Sequence, residues 1–133
     1  MKAKFFKCPK CGNVIVKTVD SGVGVVCCGE PMEELIPHQT EVYHEKHLPV
    51  VTWKDDHTLH VKVGSVEHPM LPEHKIVFLY VESECSGHIV WLKDKPEADI
   101  CVCGTKPTAV YEYCNLHGLW KTEVSCPTKC CHC

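Results

Sequence analysis

The chain has 133 residues, 44% of them hydrophobic, and a formal net charge of −3. That length suits one ordinary domain with a small appendage, and the charge supplies no global basic field for nucleic acid. No apolar run approaches a membrane span, and Met1-Lys2-Ala3-Lys4-Phe5-Phe6-Lys7-Cys8 lacks the apolar stretch of a signal peptide, so a cytoplasmic protein without membrane or nucleic-acid partners is expected.

Residues 1–37 read as a first unit. A Cys8-Pro9-Lys10-Cys11-Gly12 knuckle, the run Val14-Ile15-Val16, a Ser21–Gly24 turn, Val25-Val26 and a Cys27-Cys28-Gly29 corner predict two short strands with thiols at their ends. So small a piece cannot bury enough to stand alone, and a metal has to supply much of its stability. Cys8, Cys11, Cys27 and Cys28 predict a four-thiolate tetrahedral site for iron or zinc. Because Cys27 and Cys28 are adjacent, they cannot chelate with relaxed geometry, and the expected distortion is one that a redox iron tolerates.

Residues 38–124 carry strand patterns throughout. Leu59, Val61 and Val63 alternate with His60 and Lys62; residues 76–81 are a mostly apolar run; 89–92 and 109–113 are two more. Turn residues separate them and no stretch has a helical period, so an immunoglobulin-like β-sandwich is predicted. Within it, His47 precedes Pro49, His68 precedes Pro69, His74 closes a loop with two prolines, and Cys114-x2-His117 follows a strand. Proline fixes the backbone beside each of the first ligands. Four imidazoles and a thiolate are too many for a closed zinc tetrahedron; they suit a five-coordinate redox iron with one open position. A blue-copper reading with Met70 as weak axial ligand leaves two of these histidines idle. His38, His44, His57, His60, His88 and His132 read as ordinary polar residues.

Residues 125–133 form a cysteine-rich tail with Cys126, Cys130, Cys131 and Cys133, read as an unstructured end, a third metal site or a redox-active thiol cluster. Cys85, Cys101 and Cys103 are expected to be small buried hydrophobes. Twelve cysteines without an export signal point to metal thiolates rather than a disulfide framework.

Taken together, these motifs resemble desulfoferrodoxin, the two-iron class of superoxide reductase, over about residues 1–124. The likeness rests on Cys8-Pro9-x-Cys11-Gly12 with Cys27-Cys28-Gly29, on Glu45-Lys46-His47-x-Pro49, on His68-Pro69-Met70 with His74, and on Cys114-Asn115-x-His117-Gly118-x-Trp120. It implies an all-β chain: a desulforedoxin-like domain over 1–37, then an immunoglobulin-like domain over 38–124, usually as a homodimer. It also implies two irons, one held by Cys8, Cys11, Cys27 and Cys28, the other by equatorial His47, His68, His74 and His117 with axial Cys114. The implied activity is one-electron reduction of superoxide to hydrogen peroxide, with electrons from a rubredoxin-type or other small donor. Lys46, beside a ligand, is the candidate for steering the anion and ordering a proton-delivering water; Glu45 resembles the family glutamate that caps the oxidised iron. The competing readings are a non-catalytic electron carrier and a zinc-binding module.

Overall fold

The computed structural model describes residues 3–126, and among these there is no helix, hence none able to cross a membrane. The chain divides after Ile36 into two compact units.

In the first unit, β1 (Lys4–Lys7) and β2 (Val14–Lys17) pair antiparallel, β3 (Val26–Cys27) and β4 (Glu30–Pro31) form a two-stranded ribbon, and β5 (Glu33–Leu35) adds to the free edge of β1. Among the described residues of this unit only Phe5 and Cys8 are buried. Its apolar contribution is therefore slight. β1 and β5 are rich in Lys and Glu, and show no alternation from which a strand could be predicted.

The second unit has seven strands: β6 (Pro49–Trp53), β7 (Thr58–Val63), β8 (Ile76–Ser83), β9 (Gly87–Trp91), β10 (Glu97–Cys101), β11 (Pro107–Cys114) and β12 (Gly118–Glu123). They make a three-stranded sheet in the order β10-β7-β6 and a four-stranded sheet in the order β12-β11-β8-β9, all pairs antiparallel. The chain crosses between sheets at β7–β8, β9–β10 and β10–β11, which makes the unit a β-sandwich.

The alternation in β7 aims Leu59, Val61 and Val63 inward. There they join Ile100 of β10 and meet Ile76, Leu79 and Val81 of β8 with Val110 and Cys114 of β11 in one buried cluster. β8 and β11 are the central strands of their sheet and are buried on both faces. Their outer face carries Phe78 stacked on Tyr113, with centroids 5.5 Å apart. That double burial explains why β8 reads as a continuous apolar run.

One expectation changes. Cys85, Cys101 and Cys103 are exposed, because each lies in or beside a turn at the end of a strand, so none serves as a core hydrophobe. His57 precedes β7 and lies in the turn that leads into it. The tail residues Cys130, Cys131, His132 and Cys133 lie outside the described residues. The fold also explains how the candidate ligands meet. His47 precedes β6, His68 and His74 lie between β7 and β8, and Cys114 and His117 bracket the β11–β12 turn, all at one pole of the sandwich.

Candidate metal centres

In the first unit the Sγ atoms of Cys8, Cys11, Cys27 and Cys28 lie within 4.8 Å of one another. Cys11 Sγ is 3.6 Å from Cys27 Sγ, and Cys27 Sγ is 4.0 Å from Cys28 Sγ. A tetrahedron with metal–sulfur bonds of about 2.3 Å has edges of about 3.8 Å, so the spacing fits a four-thiolate metal. Backbone amides support the sulfurs: Cys11 N–H donates to Cys8 Sγ and Asn13 N–H to Cys11 Sγ, both at 3.5 Å. Hydrogen bonding, the Cys11 amide first, brings the Cys8 thiol down to about 6, which favours thiolate. The neighbouring sulfurs push Cys28 the other way, as expected of crowded thiols with no cation between them. Cys28 is also the one described non-glycine residue with positive φ, at 54°, followed by Gly29 at 74°. Here the difficulty of chelating through adjacent cysteines shows as a left-handed backbone.

The second centre is built on loops that neighbouring groups hold in place. A three-residue turn closed by Gly118, at φ 84°, sets Cys114 and His117 side by side. Asn115 staples this turn to the His74 loop: its Oδ1 accepts from Lys75 N–H at 2.9 Å and its Nδ2 donates to the Glu73 carbonyl at 3.1 Å. Leu71 and His74 exchange backbone hydrogen bonds of 2.9 and 3.1 Å across Pro72. The Glu41 carboxylate accepts from His47 N–H and Leu48 N–H, at 2.9 and 2.8 Å, and so fixes the segment that carries Glu45 and Lys46. Beneath it, a side chain added at Gly64 (φ 78°) would strike the Lys46 carbonyl and lie 2.8 Å from the Val66 carbonyl.

These loops bring all five residues together. The ligating atoms of His47, His74, Cys114 and His117 lie within 4.8 Å of one another. His68 Nε2 is 3.1 Å from His47 Nε2 and 3.7 Å from Cys114 Sγ. Around the ring His47, His68, His74, His117, successive centroids are 4.8, 4.8, 5.2 and 4.9 Å apart, with planes inclined 66–85°. The imidazoles therefore close a square, each edge-on to the next. His47 Nε2 is 3.1 Å from both neighbouring nitrogens, and a square of that edge has corners about 2.2 Å from its centre, near a metal–imidazole bond. Cys114 Sγ, 4.0 Å from His117 Nδ1, is the fifth donor.

The ring orientations suit a metal cation in the middle. His47 Nδ1 faces the Glu45 carbonyl at 3.0 Å and His68 Nδ1 the Pro69 carbonyl at 2.8 Å. Carbonyls only accept, so both Nδ1 atoms donate, and in the neutral rings the two Nε2 lone pairs point at each other. His74 Nε2 is buried with no hydrogen-bond partner. Burial, reinforced by the neighbouring imidazoles, pushes His47 down to about 4, which keeps it a neutral donor. Burial raises the Cys114 thiol, while the backbone amides of His117 and Leu116 oppose that shift. His47, His68 and Cys114 are buried, whereas His74 and His117 are half-exposed, so the ring meets solvent on their side. Its own backbone amide is the largest influence holding the Glu45 carboxyl low, and Glu45 stands close enough to His117, His74 and His47 to interact with them electrostatically.

Comparison with known proteins agrees with both centres. The model of the desulfoferrodoxin N-terminal domain matches residues 1–35, and that of desulfoferrodoxin matches residues 39–123. The chain belongs to the desulfoferrodoxin family. It is 42% identical to the desulfoferrodoxin of Syntrophotalea carbinolica, covering 92% of this chain and 97% of that protein. It is 39% identical to that of Nitratidesulfovibrio vulgaris, covering 90% and 95%. Among solved structures, the superoxide reductase from Treponema pallidum superposes with a TM-score of 0.78 at 29% identity, over 91% of this chain and 98% of that one.

In this desulfoferrodoxin-family chain the sequence did not assign a role to several supporting residues. Trp120 lies flat on His47, with centroids 4.6 Å apart and planes 12° apart, and Tyr43 stacks on His117 at 4.2 Å. Glu112, two residues before Cys114 on the same strand face, is fully buried, and neither carboxyl oxygen has a hydrogen-bond partner. Burial, with a further contribution from Glu41, pushes its carboxyl well above the usual range. The signals were faint: a glutamate in a run of tyrosines and an asparagine between two ligands.

Proposed function

We propose that the chain is a superoxide reductase, reducing superoxide by one electron to hydrogen peroxide at an iron held by His47, His68, His74, His117 and Cys114. The observation that carries this reading is the closed square of four imidazoles beside one buried cysteine. Four nitrogen donors with one sulfur are more than a structural zinc uses and would suit a redox iron that can also take up a substrate. When bound, iron supplies the electron and a positive centre for an anionic substrate.

The chain's own residues do the rest. The Glu45 and Pro69 carbonyls hold His47 and His68 in the tautomer that presents Nε2. Lys46, on the segment anchored by Glu41, supplies a cation beside the site, attracts the anion and positions a water that hands over a proton. Glu45, near three of the four imidazoles, is the carboxylate that would cap the bound iron in its oxidised form. Cys8, Cys11, Cys27 and Cys28 hold the second iron as an electron store or relay. The partners are superoxide, a small electron donor such as a rubredoxin-type protein, and a second copy of the chain. The compartment is the cytoplasm, where thiolates remain available as ligands.

The iron-loaded, reduced protein should consume superoxide and release peroxide without dioxygen, while the zinc-loaded protein should be colourless and inert. Dioxygen release would instead indicate dismutation. A coloured, redox-active protein that leaves superoxide untouched would support the electron-carrier reading.

A further inference from the structure

Among the described residues, the four cysteines that neither centre uses lie at strand ends towards the opposite pole of the sandwich. Cys85 sits in the turn between β8 and β9, closed by Ser83 N–H donating to the Ser86 carbonyl at 2.9 Å. Cys101 ends β10, and Cys103 lies in a turn where the Thr105 amide and hydroxyl donate to the Val102 carbonyl at 3.1 and 2.7 Å. The two turns are tied together: Glu84 N–H donates to the Lys106 carbonyl at 3.0 Å, and Lys106 Nζ pairs with the Glu84 carboxylate at 3.0 Å. Ser83 pairs with Pro107 and Ala109 with Glu123, so β8, β11 and β12 reach this pole in step, and Cys126 follows β12 there. The metal ligands lie at the other end of β8 and β11. Eight residues of strand put roughly 25 Å between the two ends.

Cys85, Cys101 and Cys103 are exposed and Cys126 is half-buried. Cys85 and Cys126 are each disulfide-bonded, whereas Cys101 is a thiol, like the cysteines of both metal centres. A chain that uses thiolates as ligands works in reducing surroundings, where a disulfide is ordinarily transient and redox-active rather than structural. Among the described residues, no grouping with metal-ligand spacing includes these four.

We propose that this pole is a thiol–disulfide exchange site, where a dithiol reduces the disulfide that Cys85 makes and the one in which Cys126 takes part, with Cys101 and Cys103 on the adjoining turn. A thiolate of the dithiol attacks one sulfur of the protein disulfide, the S–S bond breaks, and a mixed disulfide forms as the departing sulfur takes a proton. The second thiol of the reductant attacks the mixed disulfide, releases the protein thiol and leaves as its own disulfide. Two electrons and two protons pass to the protein for each disulfide reduced, and the reverse reaction reoxidises it. The step is independent of either metal centre and of the superoxide reading.

The test equilibrates the full-length, iron-loaded protein anaerobically across mixtures of reduced and oxidised dithiothreitol, then alkylates it and maps the cysteines by mass spectrometry. Cys85 and Cys126 should go from disulfide to fully alkylated over the series and return on reversal, with the visible absorption of the metal thiolates unchanged. Replacing Cys85 by Ser should abolish the disulfide that Cys85 makes. The proposal fails if both cysteines stay alkylated at every ratio. It fails equally if the reduced pole protects its thiols by retaining a metal that a mercurial reagent releases.

Discussion

At the scale of single residues, the chemistry rests on where charges and lone pairs point. Lys46 sits one position before a buried ligand, on a segment that Glu41 fixes by three hydrogen bonds. One cation at the mouth of a site raises the encounter rate with a small anion in a salt-dependent way. Lys46→Ala should slow second-order superoxide consumption about tenfold at low ionic strength and flatten its salt dependence. Stopped-flow rates at two salt concentrations check this, and an unchanged rate removes the steering role. Glu45→Ala should leave that rate intact and alter the spectrum of the oxidised protein. His47 was legible as a ligand because it lies in a specific motif with Glu45, Lys46 and Pro49. Glu41 and Tyr43 were not legible, since their roles depend on how an irregular loop folds back over the ring.

Among the elements, precision comes from turns that are short and stapled. Gly64 reaches φ 78° under the Lys46 carbonyl, where a side chain has no room. Gly64→Ala should cost about 1–3 kcal/mol in stability from backbone strain. It should also weaken iron binding at the histidine centre while the four-cysteine centre stays loaded; denaturant melts and metal analysis read the two effects separately. Asn115→Ala should lower metal affinity at the histidine centre by about 10–100-fold, as expected when a group that orients ligand loops is lost, and competitive chelation measures it. The long strands were legible because β7 alternates and β8 is uniformly apolar. β6, β10 and β12 were missed as strands, because their buried residues are interleaved with charge or with bulky exposed side chains whose fate is set by the opposite sheet. The square of histidines follows from loop lengths and prolines only after the sandwich has brought three separate connections to one pole.

For the molecule as a whole, the two units differ in what holds them together. The second has a contiguous core drawn from both sheets, whereas the first buries only Phe5 and Cys8 among its described residues. A unit that small depends on its metal. Stripping iron with a strong chelator under reducing conditions should unfold the first unit and leave the sandwich with its own cooperative melt. Circular dichroism and calorimetry before and after chelation should therefore show the loss of one transition of two. A single melt that moves as one would contradict the difference in their cores.

The same square of histidines has a consequence for chain topology. His47 and His117 are 70 residues apart, and their nitrogens stand 3.1 Å apart at the edge of the ring. His47 leads into one sheet, while Cys114 and His117 hang from the other. A single ion held by all five donors would thus be a cross-link that closes a loop spanning most of the sandwich and cinches its two sheets at one end. Such a link removes the most freedom from the unfolded chain when the loop is long. Any parting of the sheets would pull on the coordination bonds directly, so the rigidity of the sandwich and the strength of its grip on metal are one mechanical property.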